Sequence, residues 1–182
     1  MNNKGFTLLE LLIVIAILAV LAAATVFALN PSEMLKKARD SQRISDLSSL
    51  KSALVLFQAE VTSANIGATA CTDPEAGVDP ACESNDFIGD PGELGTDGWI
   101  PALDFSGMAP TPLSNLPVDP TNSATYHYGY AVDADDNFEL TATLESAYYG
   151  TGGTVDVAAK DGGDDTTVYE VGTKLTIISP GA

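Results

Sequence analysis

The sequence predicts an α+β protein, with a long N-terminal helix packed on a small C-terminal antiparallel sheet. Residues 11–29 form an uncharged run of 19 positions, close to the roughly 20 that an apolar helix needs to span a bilayer. Apolar residues then recur every three or four positions between 44 and 61, as on one face of a helix. Two stretches, 125–132 and 138–145, alternate between apolar and polar residues as strands do.

The apolar run has three possible interpretations. A secretory signal would be cut after the small residues 22–24, but the run exceeds the usual stretch of about 7–15 residues and continues through Leu29. A plain transmembrane anchor would place Glu10 near the interface, where its side chain reaches water. The third interpretation also takes account of the residues that precede the run.

The segment from Lys4 to Glu10 reads Lys-Gly-Phe-Thr-Leu-Leu-Glu and leads directly into the apolar run. This arrangement resembles the class III signal of type IV pilins and pseudopilins. The resemblance implies a leader peptide of residues 1–5, cleavage after Gly5 by a prepilin peptidase, and N-methylation of the new terminal Phe6. An acidic side chain costs about 2.5–3.5 kcal/mol at the centre of a membrane helix. The resemblance therefore implies that Glu10 directs assembly and register by pairing with the Phe6 amine of a neighbouring subunit.

The helical part divides into a transmembrane or filament-core helix over 6–29 and an amphipathic helix over 30–63. Asn30, Pro31 and Glu33 form a helix-start pattern, in which Asn30 caps the helix and Glu33 reaches back to it as in a capping box. A helix that continued through this point would kink at Pro31. The two helices together would form a nearly continuous rod of about 85 Å.

Residues 64–123 form a loop-rich segment that corresponds in position to the variable αβ-loop of pilins. It contains the only two cysteines, Cys71 and Cys82. In an oxidising compartment these would form a disulfide that closes a short loop and contributes about 3 kcal/mol. Free thiols or half of a metal site are the alternatives, but no histidine or further cysteine stands nearby.

Residues 124–182 are predicted to form the antiparallel β-sheet region. The two alternating stretches are joined by a turn at 133–137. A last hairpin, with strands at 167–171 and 174–178, is expected to complete the sheet against the amphipathic helix.

Charge is strongly segregated along the chain. Residues 60–182 contain 21 acidic residues against two lysines, which gives a charge near −19. This field repels phosphate backbones and therefore disfavours nucleic-acid binding. Five of the eight basic residues lie between 36 and 51, on the polar face of the amphipathic helix. We expect this face to meet solvent, phospholipid or the acidic domain of a neighbouring subunit.

The sequence does not predict an enzyme. It has one histidine, His127, and lacks the spacing of a P-loop, dinucleotide, nucleophile or zinc site.

Two aspartate-dense loops offer the oxygen donors that calcium binds, and the resemblance to major pseudopilins implies calcium here; solvated turns are the alternative. The donors are Asp133, Asp135, Asp136, Asn137, Asp161, Asp164 and Asp165.

The resemblance implies a type IV pilin that is made as a single-pass precursor in the inner membrane, with its C-terminal domain outside. An assembly platform and an ATPase would then build identical subunits into an extracellular pilus for adhesion and twitching motility. One alternative is the major pseudopilin of a type II secretion system, which forms a periplasmic piston. Another is a monomeric, membrane-anchored binding domain.

Overall fold

The computed structural model describes residues 5–61, 64–72, 92–95, 98–105 and 107–178, without the side chains of 27 and 28. These residues divide into two compact units, one ending at Lys36 and the other beginning at Lys37.

The first unit contains α1 (Leu8–Leu29) and the start of α2 (Pro31–Glu60). The helices are separated by Asn30, whose backbone is left-handed with φ 41°. The Asn30 carbonyl accepts hydrogen bonds from the backbone N–H groups of Glu33 and Met34, at 3.1 and 3.3 Å. The Asn30 side chain accepts from the Ser32 hydroxyl at 3.0 Å. The helix start at Pro31 agrees with the sequence, but these bonds are not those of the predicted capping box.

The second unit contains a four-stranded antiparallel sheet in the order β1-β2-β3-β4. Its strands are β1 (Ala70–Cys71), β2 (Tyr128–Val132), β3 (Phe138–Ala142) and β4 (Tyr169–Gly172), and a short 3₁₀ helix spans Ala158–Lys160. The predicted fold class, a long N-terminal helix with a small antiparallel sheet, is confirmed.

The C-terminal edge of the sheet differs from the prediction. The segment 174–178 is not a strand, so the expected last hairpin is wrong, and within the described ranges β4 pairs only with β3. The backbone N–H groups of Ile177 and Ile178 instead donate to Oε2 of Glu139, at 2.7 and 2.9 Å. This carboxylate satisfies donors that a strand would have paired with another strand.

One face of the sheet shares a hydrophobic core with α2. The predicted apolar stripe of the helix is buried in this core through Leu47, Leu50, Leu54 and Phe57. Aromatic residues supply the largest side chains of the rest of the core, and Phe57 meets Phe105 edge to face at 5.1 Å. The main residues that the sheet and loops contribute are Trp99, Phe105, Tyr128, Tyr130, Phe138 and Leu140.

The other face of the sheet is also covered. All five residues of β3 are buried, including the polar Glu139 and Thr141, which alternate with its core residues. The alternation of apolar and polar residues along this strand therefore does not mark a solvent-exposed face.

Candidate functional site

The N-terminal end of α1 is held by a capping box between Thr7 and Glu10. Thr7 precedes the helix in an extended conformation, and its hydroxyl accepts a hydrogen bond from the Glu10 backbone N–H at 3.2 Å. In return, Oε2 of Glu10 accepts from both the backbone N–H and the hydroxyl of Thr7, each at 2.9 Å. The Glu10 carboxylate is thus oriented back towards the start of the helix.

The residues of the predicted cleavage and methylation site, Gly5 and Phe6, precede the helix and are exposed. The Phe6 side chain is 84% exposed. A Cβ atom added to Gly5 would meet nothing within 4 Å among the residues that the structure describes, so their packing does not require glycine at this position.

Apolar side chains are exposed along α1. The helix is long and apolar enough to cross a membrane by length and composition. Of its 22 residues, Glu10 is the sole charged one. Burial of this surface is favourable by roughly 25 cal/mol per Å² of apolar area, so transfer of α1 from water into lipid or protein is favoured.

Cys71, on β1, is buried and is not a free thiol. Its predicted partner, Cys82, lies outside the described residues. The disulfide between them therefore stays a prediction.

A buried ionic network fixes α2 to two loops of the second unit. Arg43 binds Asp119 in a bidentate pair, with Nε to Oδ2 at 2.6 Å and Nη2 to Oδ1 at 2.9 Å. Its Nη1 contacts Asp40 at 2.9 Å and Glu145 at 2.6 Å. Arg39 adds a second, partly exposed contact to Glu145. The expectation that the polar face of α2 meets solvent or neighbours is thus wrong for Asp40 and Arg43, which are fully buried.

The network also shifts the pKa values of its members. Burial lowers the pKa of Arg43, but hydrogen bonds to Asp119 and Glu145 outweigh it and raise this pKa overall. The hydrogen bond from Arg39, with a contribution from Arg43, lowers the pKa of Glu145 to about 2. The charged forms are therefore stabilised together, as a buried pair requires.

The first aspartate-dense loop forms a turn between β2 and β3 that is held by bonds within the loop and by Lys174. Oδ1 of Asp133 accepts from the backbone N–H groups of Asp135 and Asn137, and Oδ2 binds Nζ of Lys174 at 2.8 Å. The contact with Lys174 lowers the pKa of Asp133. Asp135 and Asp136 are exposed. These contacts suffice to explain the aspartates as turn residues.

The second aspartate-dense loop lies against β4. Oδ2 of Asp161 accepts from the Glu170 backbone N–H at 2.8 Å, and the Asp165 N–H donates to Oε2 of Glu170 at 3.0 Å. Within the described part of the chain, Asp164 joins Glu139 and Glu170 in a group whose ligand atoms all lie within 4.8 Å of one another. Of the seven predicted calcium donors, Asp164 alone belongs to this group.

Two features of these sites were not predicted from the sequence. The capping box follows the pattern of threonine with glutamate three residues later, at Thr7 and Glu10, so the sequence did contain its signal. Glu139 and Glu170 had no comparable local signal, because their burial depends on loops that are distant along the chain.

A family model described as the prokaryotic N-terminal methylation motif matches residues 1–26. No curated protein and no solved structure gives a match to the chain. The motif implies processing by a prepilin peptidase and a membrane-anchored precursor, and the family that it marks is structural rather than enzymatic. Its match at residues 1–26 supports the resemblance of the N-terminal segment to type IV pilins and pseudopilins, and the long N-terminal helix with a small antiparallel sheet is consistent with a pilin-like fold.

Proposed function

We propose that the chain is a type IV pilin, the structural subunit of an extracellular pilus that serves adhesion and twitching motility. The observation that supports this most is the contrast between the two units. The second unit buries its own hydrophobic core, whereas α1 exposes apolar side chains along its length. A helix of this kind is suited to two successive environments, the lipid of the precursor and the helices of neighbouring subunits.

Glu10 gives the assembly its register in this proposal. The bonds from Thr7 both end on Oε2 of Glu10, which leaves Oε1 for a partner. After cleavage at Gly5, the new α-amine on Phe6 of a neighbouring subunit supplies a positive charge at a matching depth. Two charges that are each unfavourable in an apolar environment compensate when they pair. Subunit arrangements with one fixed axial offset are therefore favoured over arrangements in which the two charges do not meet.

The first experiment is mass spectrometry of filaments sheared from the cell surface. The expected N-terminal peptide begins with methylated Phe6, because that species combines correct processing with surface location. Correctly processed protein that is found only in periplasmic fractions would support the pseudopilin alternative and contradict the pilus. A mature start at Thr25 would contradict the family's processing scheme for this chain.

The second experiment compares Glu10→Ala with Glu60→Ala, a control that removes an exposed carboxylate at the end of α2. Glu10→Ala should leave cleavage after Gly5 intact but greatly reduce the amount of sheared filament. Glu60→Ala should change neither. Normal filament yield from Glu10→Ala would contradict the assembly role of this residue, and processed single chains in both variants and in the wild type would support the monomeric anchored domain.

A further inference from the structure

The start of α1 carries two kinds of polar group that an apolar environment penalises. The first backbone N–H groups of a helix have no acceptor within the helix, and hydrocarbon provides no water for them. The carboxylate of Glu10 stands in the same first turn and is exposed on the helix surface. An acidic side chain in lipid is costly unless a partner compensates it.

The Thr7 hydroxyl reduces both costs through a single oxygen atom. Oγ1 of Thr7 accepts a hydrogen bond from the Glu10 backbone N–H at 3.2 Å and donates one to Oε2 of Glu10 at 2.9 Å. The Thr7 backbone N–H donates to the same Oε2 at 2.9 Å. Two N–H groups at this helix end are therefore satisfied, and one carboxylate oxygen has two donors. This arrangement needs a hydroxyl, because the group must accept and donate at the same time.

The orientation of the Glu10 carboxylate depends on these bonds. Among the described residues, the hydrogen bonds to this carboxylate come from Thr7 alone. A glutamate without them is free to rotate and to extend towards the polar surface of the membrane. A side chain that is already ordered loses less conformational entropy when it binds a partner. The hydroxyl of Thr7 thus prepares Glu10 for an interaction with another molecule.

We propose that Thr7 is the positioning residue of Glu10 in assembly. Its hydroxyl holds Oε2 at the start of the helix, and Oε1 is left to receive the α-amine of a neighbouring subunit. The inference rests on the proposed role of Glu10 and adds a second residue, which acts through the first.

The test uses two substitutions of Thr7 and measures cleaved subunit in membranes together with filament sheared from cells. Thr7→Val keeps the β-branched shape and removes the hydroxyl. It should leave cleavage after Gly5 at the wild-type level and reduce the filament by at least about fivefold, the factor that a typical lost helix cap carries. Thr7→Ser keeps the hydroxyl and should restore at least about half of the wild-type filament, since serine and threonine both cap helices well.

Thr25→Val is the matched control in the same helix. It makes the same chemical change fifteen residues after Glu10, at a hydroxyl that donates to the Ala22 carbonyl at 2.8 Å. It should retain both wild-type cleavage and wild-type filament. The control separates loss of the capping box from a general effect of removing a hydroxyl from an apolar helix.

Amide hydrogen exchange of the processed full chain in detergent micelles tests the geometry without the filament. The Glu10 N–H is protected in the wild type by its bond to Oγ1 of Thr7. Thr7→Val should speed its exchange by at least about fivefold, whereas Thr7→Ser should keep it slow. An unchanged exchange rate in Thr7→Val would contradict the capping role of the hydroxyl and overturn the inference.

Three filament results would also overturn it. Wild-type filament from Thr7→Val, beside a loss in Glu10→Ala, would show that Glu10 acts without Thr7, and the proposed function would stand. Equal losses from Thr7→Val and Thr25→Val would show a general need for hydroxyls on α1. Uncleaved Thr7→Val would assign Thr7 to recognition by the peptidase. Normal filament from Glu10→Ala would instead contradict the proposed role of Glu10 itself, and the role of Thr7 with it.

Discussion

Arg43 is fully buried on the same face of α2 as the core residues that follow it. Asp40, Arg43, Leu47 and Leu50 are separated by three, four and three residues, so they belong to one helical stripe. A guanidinium on such a stripe is tolerated here because Asp40, Asp119 and Glu145 surround it. Loss of Arg43 itself would leave the buried carboxylates of Asp40 and Asp119 without the cation that they share, with a cost of about 3–5 kcal/mol.

At the level of single residues, the network predicts sensitivity to acid. The pKa of Glu145 falls from 4.5 to about 2 in the folded protein. A carboxyl group with a lowered pKa stabilises the fold fully above its unfolded pKa, and this contribution is lost as the pH falls through the folded pKa. We therefore expect the stability that Glu145 provides to decline between pH 4.5 and about 2.

The measurement is urea unfolding of the wild type and of Glu145→Gln across this pH range. The variant should be less stable at pH 6, and the difference between the two proteins should narrow towards pH 2. Glu60→Gln removes an exposed charge from the same chain and controls for net charge. A difference between wild type and Glu145→Gln that stays constant with pH would contradict the role of ionised Glu145.

At the level of elements, α2 has two apolar surfaces with different roles. Leu54 is 0% exposed and lies in the core, whereas Leu56 on the same helix is 44% exposed. Leu54→Ala should lower the free energy of unfolding by about 2–5 kcal/mol, since it leaves a cavity. Leu56→Ala should change it by less than about 0.5 kcal/mol. Chemical denaturation of the two variants measures both changes in the free energy of unfolding. The substitution is the same, so the difference reports the burial of the position.

Filament yield provides the complementary measurement for these variants. If neighbouring subunits cover the exposed apolar surface of α2, Leu56→Ala should reduce the amount of sheared filament although the subunit remains stable. Wild-type yield from Leu56→Ala would show that this residue is not covered on assembly. A large loss of stability in Leu56→Ala would contradict its exposure.

The elements that were predicted well from the sequence are those whose burial follows from a local periodic pattern. The apolar stripe through Leu47 and Phe57 repeats with the helical period, and its burial followed from that period alone. The face of β3 that carries Glu139 was not predictable in this way, because alternation indicates exposure only when nothing covers the polar side. The segments that cover it, around Asp164 and Ile177, are separated from β3 in sequence by more than twenty residues.

At the level of the whole molecule, the two units have opposite effects on association between subunits. The chain has a formal net charge of −17, and nearly all of its acidic residues follow residue 60. This charge keeps the second unit soluble and limits its association with copies of itself. The apolar α1 favours association, so assembly depends on the helix overcoming the repulsion between acidic domains, and added salt should weaken that repulsion.

Because the second unit contains its own core, a fragment of residues 37–182 should fold without the first. This fragment retains the hydrophobic cluster and the network of Arg39, Asp40 and Arg43. It loses the apolar surface of α1, so we expect a monomer that is soluble without detergent. Its Tm should lie within a few degrees of that of the full chain in micelles, since the fragment keeps the contacts that stabilise the sheet.

Size-exclusion chromatography and circular dichroism of the fragment test both expectations. The full chain, prepared without detergent, serves as the control and should aggregate through α1. A fragment that aggregates, or that unfolds without a cooperative transition, would show that the second unit depends on α1 for its stability. A soluble, cooperative fragment beside an aggregated full chain would show that the second unit folds by itself and that residues 1–36 cause the aggregation.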